Sequence, residues 1–331
     1  MLGELKQIAA GATDLLLHTS RDPTYADGDD ASWTAIDWAS YTHSVELFGS
    51  AVSYVDTGGE DRPALLFIHG LGGRWQNWLL NIPPFMDTHR VVALDLPGFG
   101  DSEMPVEPIT MLGFGRVADA LCETLGIDYP VVVGNSMGGL VGAEVTLAYP
   151  TRVSRLVLVS AAGLSVEHRR REPLLTGARL LAAQSTRIAA HREAVVRRAR
   201  LRRVALQSVV RYPERLSASL TWELVQGSGR PGFVPALDAL LGYSLRERLG
   251  AIEVPTLIVW GRDDRLVPVA DAADYQHLIG DNARTVVFED TGHVPMIERP
   301  TRFNALLRAE LSASDPVRSQ RRRAGARPRR P

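Results

Sequence analysis

The chain has 331 residues, of which 45% are hydrophobic, so it is long enough to bury one large core. Its formal net charge is only −1, and its single cysteine, Cys122, excludes an internal disulfide. The sequence has no run of 18 apolar residues, no zinc-ligand spacing and no phosphate-binding glycine loop, so we expect no membrane span, no metal and no cofactor.

A short amphipathic helix is predicted at the start of an N-terminal extension that covers residues 1–42. Five apolar residues fall on one helical face: Leu2, Leu5, Ala9, Ala12 and Leu16. We expect this helix to end before Pro23 and to pack against the rest of the chain; the alternative is that it lies on a membrane or a partner. No standard signal peptide is predicted, so the expected location is cytoplasmic, with peripheral membrane contact left open.

Two buried strands are predicted next, each followed by a glycine-containing loop. The first strand covers residues 64–68 and leads into the sequence His-Gly-Leu-Gly-Gly at 69–73. The second covers residues 91–94 and leads into Asp-Leu-Pro-Gly-Phe-Gly-Asp-Ser, which starts at Asp95. We interpret Asp95 and Asp101 as turn-forming residues, because aspartate readily bonds its own backbone in such turns.

A nucleophilic serine is predicted at Ser136. It lies in the sequence Gly-Asn-Ser-Met-Gly-Gly, between an apolar run at 130–133 and a segment with a helical pattern that stops at Pro150. A serine on such a sharp strand-to-helix turn needs glycines on both sides, since larger side chains would collide with neighbouring backbone.

Serine attack on a carbonyl requires a base, and the base requires an orienting acid. His293 is the best placed of the eight histidines, because it lies in a turn just after the predicted strand at 285–288. Another predicted strand at 256–260 is followed by Asp263 and Asp264, and from the residues alone either aspartate could be the acid.

The order of strand, Ser136 and helix, then strand and aspartate, then strand and His293, resembles the α/β-hydrolase fold over residues 45–311. The resemblance implies an α/β protein with a doubly wound, mainly parallel eight-stranded sheet and an inserted helical cap. The family pattern G-x-x-D-x-x-x-P places the acid at Asp264 rather than Asp263. The alternative position of the acid, after the strand that ends at residue 160, offers no carboxylate here.

The resemblance also implies the remaining parts of a catalytic site. The backbone N–H groups of Leu71 and Met137 would form the oxyanion hole, while His69 would shape its loop rather than transfer protons. Four further side chains are expected to line the substrate pocket: Trp78, Phe99, Val267 and Val294.

The implied division of the chain has four parts: the extension 1–42, a core at 43–163 and 250–312, a helical arginine-rich cap at 164–249 and a disordered basic tail at 313–331. Thirteen arginines but only three glutamates lie between residues 169 and 215. Apolar residues of this segment fall on one helical face: Ile188, Val195, Ala199, Leu206 and Val210. Two interpretations follow. In the first, the arginines of an amphipathic cap are solvated or ion-paired; in the second, they form a basic surface for anionic substrates or lipids.

The leading functional prediction is a serine hydrolase that cleaves a small-molecule carboxylic ester through an acyl-enzyme. Thioester hydrolysis is an alternative, as is cleavage of a carbon–carbon bond in a ring-fission diketone. The latter enzymes share the sequence Gly-Asn-Ser-Met-Gly-Gly but usually have a tryptophan where this chain has Val294. A non-catalytic receptor on the same fold is the alternative from another class. We predict no nucleic-acid partner, although the basic tail leaves such contact open. The sequence does not predict the oligomeric state.

Overall fold

The computed structural model describes residues 23–165, 187 and 190–312. The predicted N-terminal amphipathic helix, the apolar position Ile188 and the basic tail therefore lie outside the described residues. Among the helices that are described, none combines the length and the apolarity needed to cross a bilayer.

One eight-stranded sheet forms the centre of the protein, in the order β1-β2-β4-β3-β5-β6-β7-β8. The strands are β1 (Thr42–Leu47), β2 (Ser50–Asp56), β3 (Ala64–Ile68), β4 (Arg90–Leu94), β5 (Val131–Asn135), β6 (Arg155–Val159), β7 (Thr256–Gly261) and β8 (Ala283–Phe288). Strand β2 pairs antiparallel with β1 and β4, and all other pairs are parallel. The predicted doubly wound, mainly parallel sheet is confirmed.

Helices cover both faces of this sheet, as its continuous apolar strands require. The α-helices are α1 (Ala31–Thr34), α2 (Met111–Thr124), α3 (Met137–Ala148), α4 (Arg192–Arg197), α5 (Ala199–Leu206), α6 (Ala218–Gln226), α7 (Phe233–Leu241), α8 (Ala270–Ile279), α9 (Pro295–Glu298) and α10 (Pro300–Ser312). Alternate residues of β3 belong to different core layers: Leu66 packs with the layer of α2 and α3, and Phe67 with the layer of Trp78 and Phe303.

The chain between β6 and β7, which we call the insertion, contains helices α4 to α7. It approaches the loops after β3 and β4 so closely that glycine is needed at the contacts. A Cβ atom on Gly227 would lie 2.4 Å from the carbonyl oxygen of Gly72, and the Gly232 N–H donates to the carbonyl of Gly98 at 3.0 Å. The insertion is thus anchored on the edge of the sheet where the parallel strands end.

Helix α3 packs against β3 through a glycine whose replacement is expected to push the helix away. A Cβ on Gly138 would lie 2.3 Å from the carbonyl oxygen of Ile68 and 2.5 Å from that of His69, and neither backbone atom can move cheaply. One turn further along, a Cβ on Gly142 would meet only side chains, of Val132 at 3.1 Å and Leu156 at 3.3 Å.

We therefore expect Gly138→Ala to lower the free energy of unfolding by about 1–3 kcal/mol or more through overpacking. Gly142→Ala, the control on the same helix, should change it by less than about 1 kcal/mol, because the higher helix propensity of alanine offsets the tighter packing. Thermal or denaturant unfolding of both variants measures this difference. Equal destabilisation by the two changes would contradict the proposed close approach.

Candidate active site

Ser136 lies on a sharp turn between β5 and α3, with φ 56° and ψ −120°. A positive φ in a non-glycine residue is strained, typically by about 1–3 kcal/mol, and persists only where the surroundings fix it. The Ser136 N–H donates to the Val159 carbonyl at 2.9 Å, and the Ser136 carbonyl accepts from the Ala162 N–H at 3.0 Å. Gly134 is required as well, since a Cβ there would lie 2.1 Å from the carbonyl oxygen of Gly138.

His293 and Asp264 form a hydrogen-bonded pair, with 2.7 Å between the imidazole Nδ1 and the carboxylate Oδ2. The other oxygen of Asp264 accepts the N–H groups of Leu266 and Val267, both at 2.9 Å, and the Asp264 side chain is completely buried. The neighbouring Asp263 side chain is one-third exposed and lies 3.7 Å from Arg211. The structure thus pairs His293 with Asp264, while Asp263 is partly exposed and lies outside this pair.

The backbone of His293 is also held from two sides. Its N–H donates to the Val209 carbonyl of the insertion at 2.9 Å, and its carbonyl accepts from the Asn135 side chain at 3.2 Å. The Asn135 amide bonds the Val159 carbonyl too, at 3.0 Å, and so joins the ends of β5, β6 and the loop after β8. Neither role can be predicted from the sequence, because nothing local indicates which groups the Asn135 amide and the Val209 carbonyl will meet.

The His-Gly loop after β3 runs directly beside the serine. A Cβ on Gly70 would lie 3.0 Å from the Ser136 Cβ, and the Gly73 N–H donates back to the Gly70 carbonyl at 3.0 Å. Leu71 is half-buried in this loop, and Met137 is the first residue of α3, where backbone N–H groups have no intrahelical partner. Their role as oxyanion donors stays a prediction.

His69 is completely buried and serves as a bridge between two loops. Its Nδ1 lies 2.7 Å from the Gly70 carbonyl and its Nε2 accepts the Leu96 N–H at 3.0 Å, which requires a neutral ring with the proton on Nδ1. Burial lowers the pKa of His69 to about 4. The ring therefore shapes the loop, in agreement with the interpretation of the sequence.

Asp95 fixes the turn after β4. Its carboxylate accepts the N–H groups of Trp75 at 2.7 Å and Asp101 at 2.9 Å, and burial raises the pKa of this carboxyl to about 6. A Cβ on Gly100 would lie 2.0 Å from the carboxylate, so glycine is required in this turn.

The four expected pocket residues fall into two groups. Val267 and Val294 adjoin the pair, since the Val267 N–H bonds Asp264 and Val294 follows His293 in the chain. Phe99 is completely buried, with its ring 5.6 Å from that of His69. Trp78 is completely buried, stacked 4.7 Å from Phe67 and packed near Phe303. Contact of these four residues with a substrate stays a prediction.

Throughout 23–165, 187 and 190–312, no group of three or more His, Cys, Asp or Glu side chains could hold a metal ion.

Comparison with known proteins agrees with this architecture. The family described as the alpha/beta hydrolase fold matches residues 63–300. A 2-hydroxy-6-oxo-6-phenylhexa-2,4-dienoate hydrolase from Comamonas testosteroni is 33% identical over 252 residues, which are 73% of this chain and 85% of that protein. A dihydrolipoyllysine-residue acetyltransferase component of an acetoin cleaving system from Cupriavidus necator is 31% identical over 290 residues, 83% of this chain and 70% of that protein.

One solved structure resembles the chain over nearly its whole length. It is a membrane phospholipase A described as a bacterial virulence factor, with a TM-score of 0.66 and 28% sequence identity. The match covers 96% of this chain and 98% of that one, and so extends beyond the core into the N-terminal extension.

The buried neutral His69 predicts how stability depends on pH. Its pKa is about 4 in the folded protein but about 6.5 when unfolded, so the unfolded chain binds the extra proton between these values. Stability should therefore fall as pH drops from 6.5 to 4, by about 3 kcal/mol from this group. We expect that loss to be absent in His69→Gln, whose carboxamide can still accept the Leu96 N–H, when both proteins are unfolded at each pH. A constant difference between them from pH 7 to pH 4 would contradict the assignment.

Proposed function

The chain belongs to the α/β-hydrolase family, and on this premise we propose that it is a serine hydrolase that cleaves carboxylic esters through an acyl-enzyme. Two observations support the proposal: Ser136 has a strained backbone, and its neighbour Asn135 donates to the backbone carbonyl of His293. The His293 ring is in turn paired with the buried Asp264. A nucleophile, a base and an orienting acid are the groups that acyl transfer requires.

In the proposed reaction, the Ser136 Oγ attacks the ester carbonyl and His293 accepts its proton. Asp264 holds the imidazole in the tautomer with the proton on Nδ1 and stabilises the imidazolium that forms. The N–H groups of Leu71 and Met137 would stabilise the tetrahedral oxyanion. His293 then returns the proton to the leaving alcohol. In the second half of the reaction, water attacks the acyl-enzyme, His293 takes the proton of the water and gives it to the Ser136 Oγ, and the carboxylic acid is released.

An ester with a lipid-like acyl chain is the substrate class that we favour. The likeness to the phospholipase A extends over 96% of the chain, including part of the N-terminal extension. Two arginines of the insertion are bonded within it: Arg203 pairs with Glu214 at 2.8 Å, and Arg202 donates to the Leu216 carbonyl at 2.9 Å. This supports the interpretation of an ion-paired cap at Arg203, while Arg202 is bonded to a backbone carbonyl. Arg197, Arg198 and Arg200 are exposed.

Carbon–carbon bond hydrolysis is the second candidate, because the dienoate hydrolase is 33% identical and the sequence around Ser136 fits such enzymes. The Asn135 amide in this chain, however, is bonded to the Val159 and His293 carbonyls. Asn135 therefore has a structural role in this chain. Its presence before Ser136 does not by itself favour a dienoate substrate.

Replacement of the acid tests the proposed triad most sharply, because the chain offers a neighbouring control. We expect Ser136→Ala to lower kcat by about 10⁴ or more and Asp264→Asn by about 10³ to 10⁴, since asparagine would favour the wrong imidazole tautomer. Asp263→Asn should stay within about threefold of the wild type. Hydrolysis of a p-nitrophenyl ester measures all three, and a damaging Asp263→Asn with a near-neutral Asp264→Asn would overturn the assignment.

The substrate class is tested by a panel of p-nitrophenyl esters from acetate to palmitate, together with an acyl-CoA and a vinylogous diketone. We expect kcat/KM to be highest on a long-chain ester, and kcat on every substrate that is cleaved to fall by about 10⁴ or more in Ser136→Ala. A kcat/KM on the diketone that exceeds the best ester by about tenfold or more would favour the second candidate instead.

A further inference from the structure

A buried carboxylate that takes no part in the proposed reaction lies directly behind His293. Glu298, on α9, is completely buried. It accepts the Gly292 N–H at 2.9 Å and 3.0 Å and the Val294 N–H at 3.3 Å. The residues on both sides of His293 are thus bonded to a single anion.

The same carboxylate binds two distant parts of the chain. The Arg211 N–H of the insertion donates to it at 2.8 Å, and the Tyr25 hydroxyl donates at 2.6 Å. That hydroxyl in turn accepts the Tyr212 N–H at 2.8 Å. The N-terminal segment, the insertion and the His293 loop therefore meet at Glu298, which we call the Glu298 junction.

The Tyr25 ring is fixed as firmly as its hydroxyl. The guanidinium of Arg299 lies 4.9 Å from the ring centroid, that of Arg215 lies 5.2 Å away, and the Tyr212 ring packs edge-on at 5.2 Å. The Ala26 N–H also donates to the Glu298 carbonyl at 2.7 Å. Residues 24–26 thus close the junction from outside and keep water away from it.

Gly292 is packed too closely to accommodate a side chain. A Cβ there would lie 2.9 Å from the Glu298 carboxylate and 3.0 Å from both the Arg211 nitrogen and the Val209 oxygen. The Val209 carbonyl accepts the His293 N–H, so the insertion and the carboxylate hold adjacent peptide units. Burial raises the pKa of Glu298, and the N–H and O–H donors oppose that shift. Loss of a donor would therefore destabilise the carboxylate form that accepts the Gly292 and Val294 N–H groups.

We infer that Glu298 and Tyr25 are positioning residues: through the Gly292 and Val294 N–H groups they fix the loop that presents His293 to Ser136. Residues 24–26 then belong to the scaffold of the active site, although they lie far from it in sequence. The inference rests on the proposed function for its catalytic consequence, while the hold on the loop exists independently of any substrate.

The test is Tyr25→Phe, compared with a control of the same chemistry. Tyr243→Phe also removes a hydroxyl that donates to a buried carboxylate, that of Glu144 on α3, but this carboxylate is bonded to Arg248 and not to the His293 loop. The measurements are the rate of Ser136 labelling by a fluorophosphonate, kcat and KM on the best ester, and amide hydrogen exchange of residues 290–296.

We expect Tyr25→Phe to lower the labelling rate and kcat by roughly 10- to 100-fold, because a displacement of about 1 Å at a catalytic group costs that much. KM should stay within about threefold, and exchange at 290–296 should be faster. Tyr243→Phe should leave labelling, kcat and exchange at 290–296 within about threefold of the wild type. Glu298→Gln should exceed Tyr25→Phe in every effect, since its NH₂ group would face N–H donors.

Equal effects of the two tyrosine variants on labelling and on exchange at 290–296 would overturn the inference, as would an unchanged loop in Tyr25→Phe. Should Glu298→Gln fail to fold, Tyr25→Phe carries the test alone. A wild-type protein that does not react with the probe would contradict the proposed function, and the exchange data would then still decide whether the junction holds the loop.

Discussion

The strained backbone of Ser136 is the constraint on which the site depends. A φ of 56° at a non-glycine residue exists only because β5 ends and α3 begins within one residue, with the helix pressed against β3. That contact requires Gly138 beside the Ile68 carbonyl and Gly134 beside the Gly138 carbonyl. The glycines therefore do more than permit a turn: they let the helix approach closely enough for the serine to be held above the sheet.

The insertion is joined to the core by close backbone contacts at three loops. Gly72 meets Gly227, Gly98 bonds Gly232, and Val209 bonds His293, so it contacts the loops after β3, β4 and β8. Any movement of the insertion would therefore displace those loops or break these contacts. The position of the His293 backbone is therefore coupled to the insertion through a backbone hydrogen bond.

Buried ionisable groups around the site are used as fixed acceptors or donors for backbone groups. His69 accepts the Leu96 N–H, Asp95 accepts those of Trp75 and Asp101, and Glu298 accepts those of Gly292 and Val294. Burial disfavours the charged form in each case, and the hydrogen bonds compensate part of that cost. These groups thereby hold the loops after β3, β4 and β8.

The sequence by itself indicated the strands β3 to β8 and the turn that carries Ser136, because apolar strand patterns and glycine spacing are local properties of the chain. The eight-stranded sheet was implied by the family resemblance, and the antiparallel strands β1 and β2 were not predicted from local patterns. The sequence narrowed the acid to two adjacent aspartates, and the resemblance favoured Asp264, which the structure places 2.7 Å from His293. Trp78, which was expected to line a substrate pocket, is stacked against Phe67, a contact that no local pattern indicates. Only the tertiary structure decided which polar groups support His293. Asn135, Val209, Tyr25 and Glu298 come together from distant parts of the chain, and the partner of a buried polar group is set by where the chain folds back, which no local pattern records.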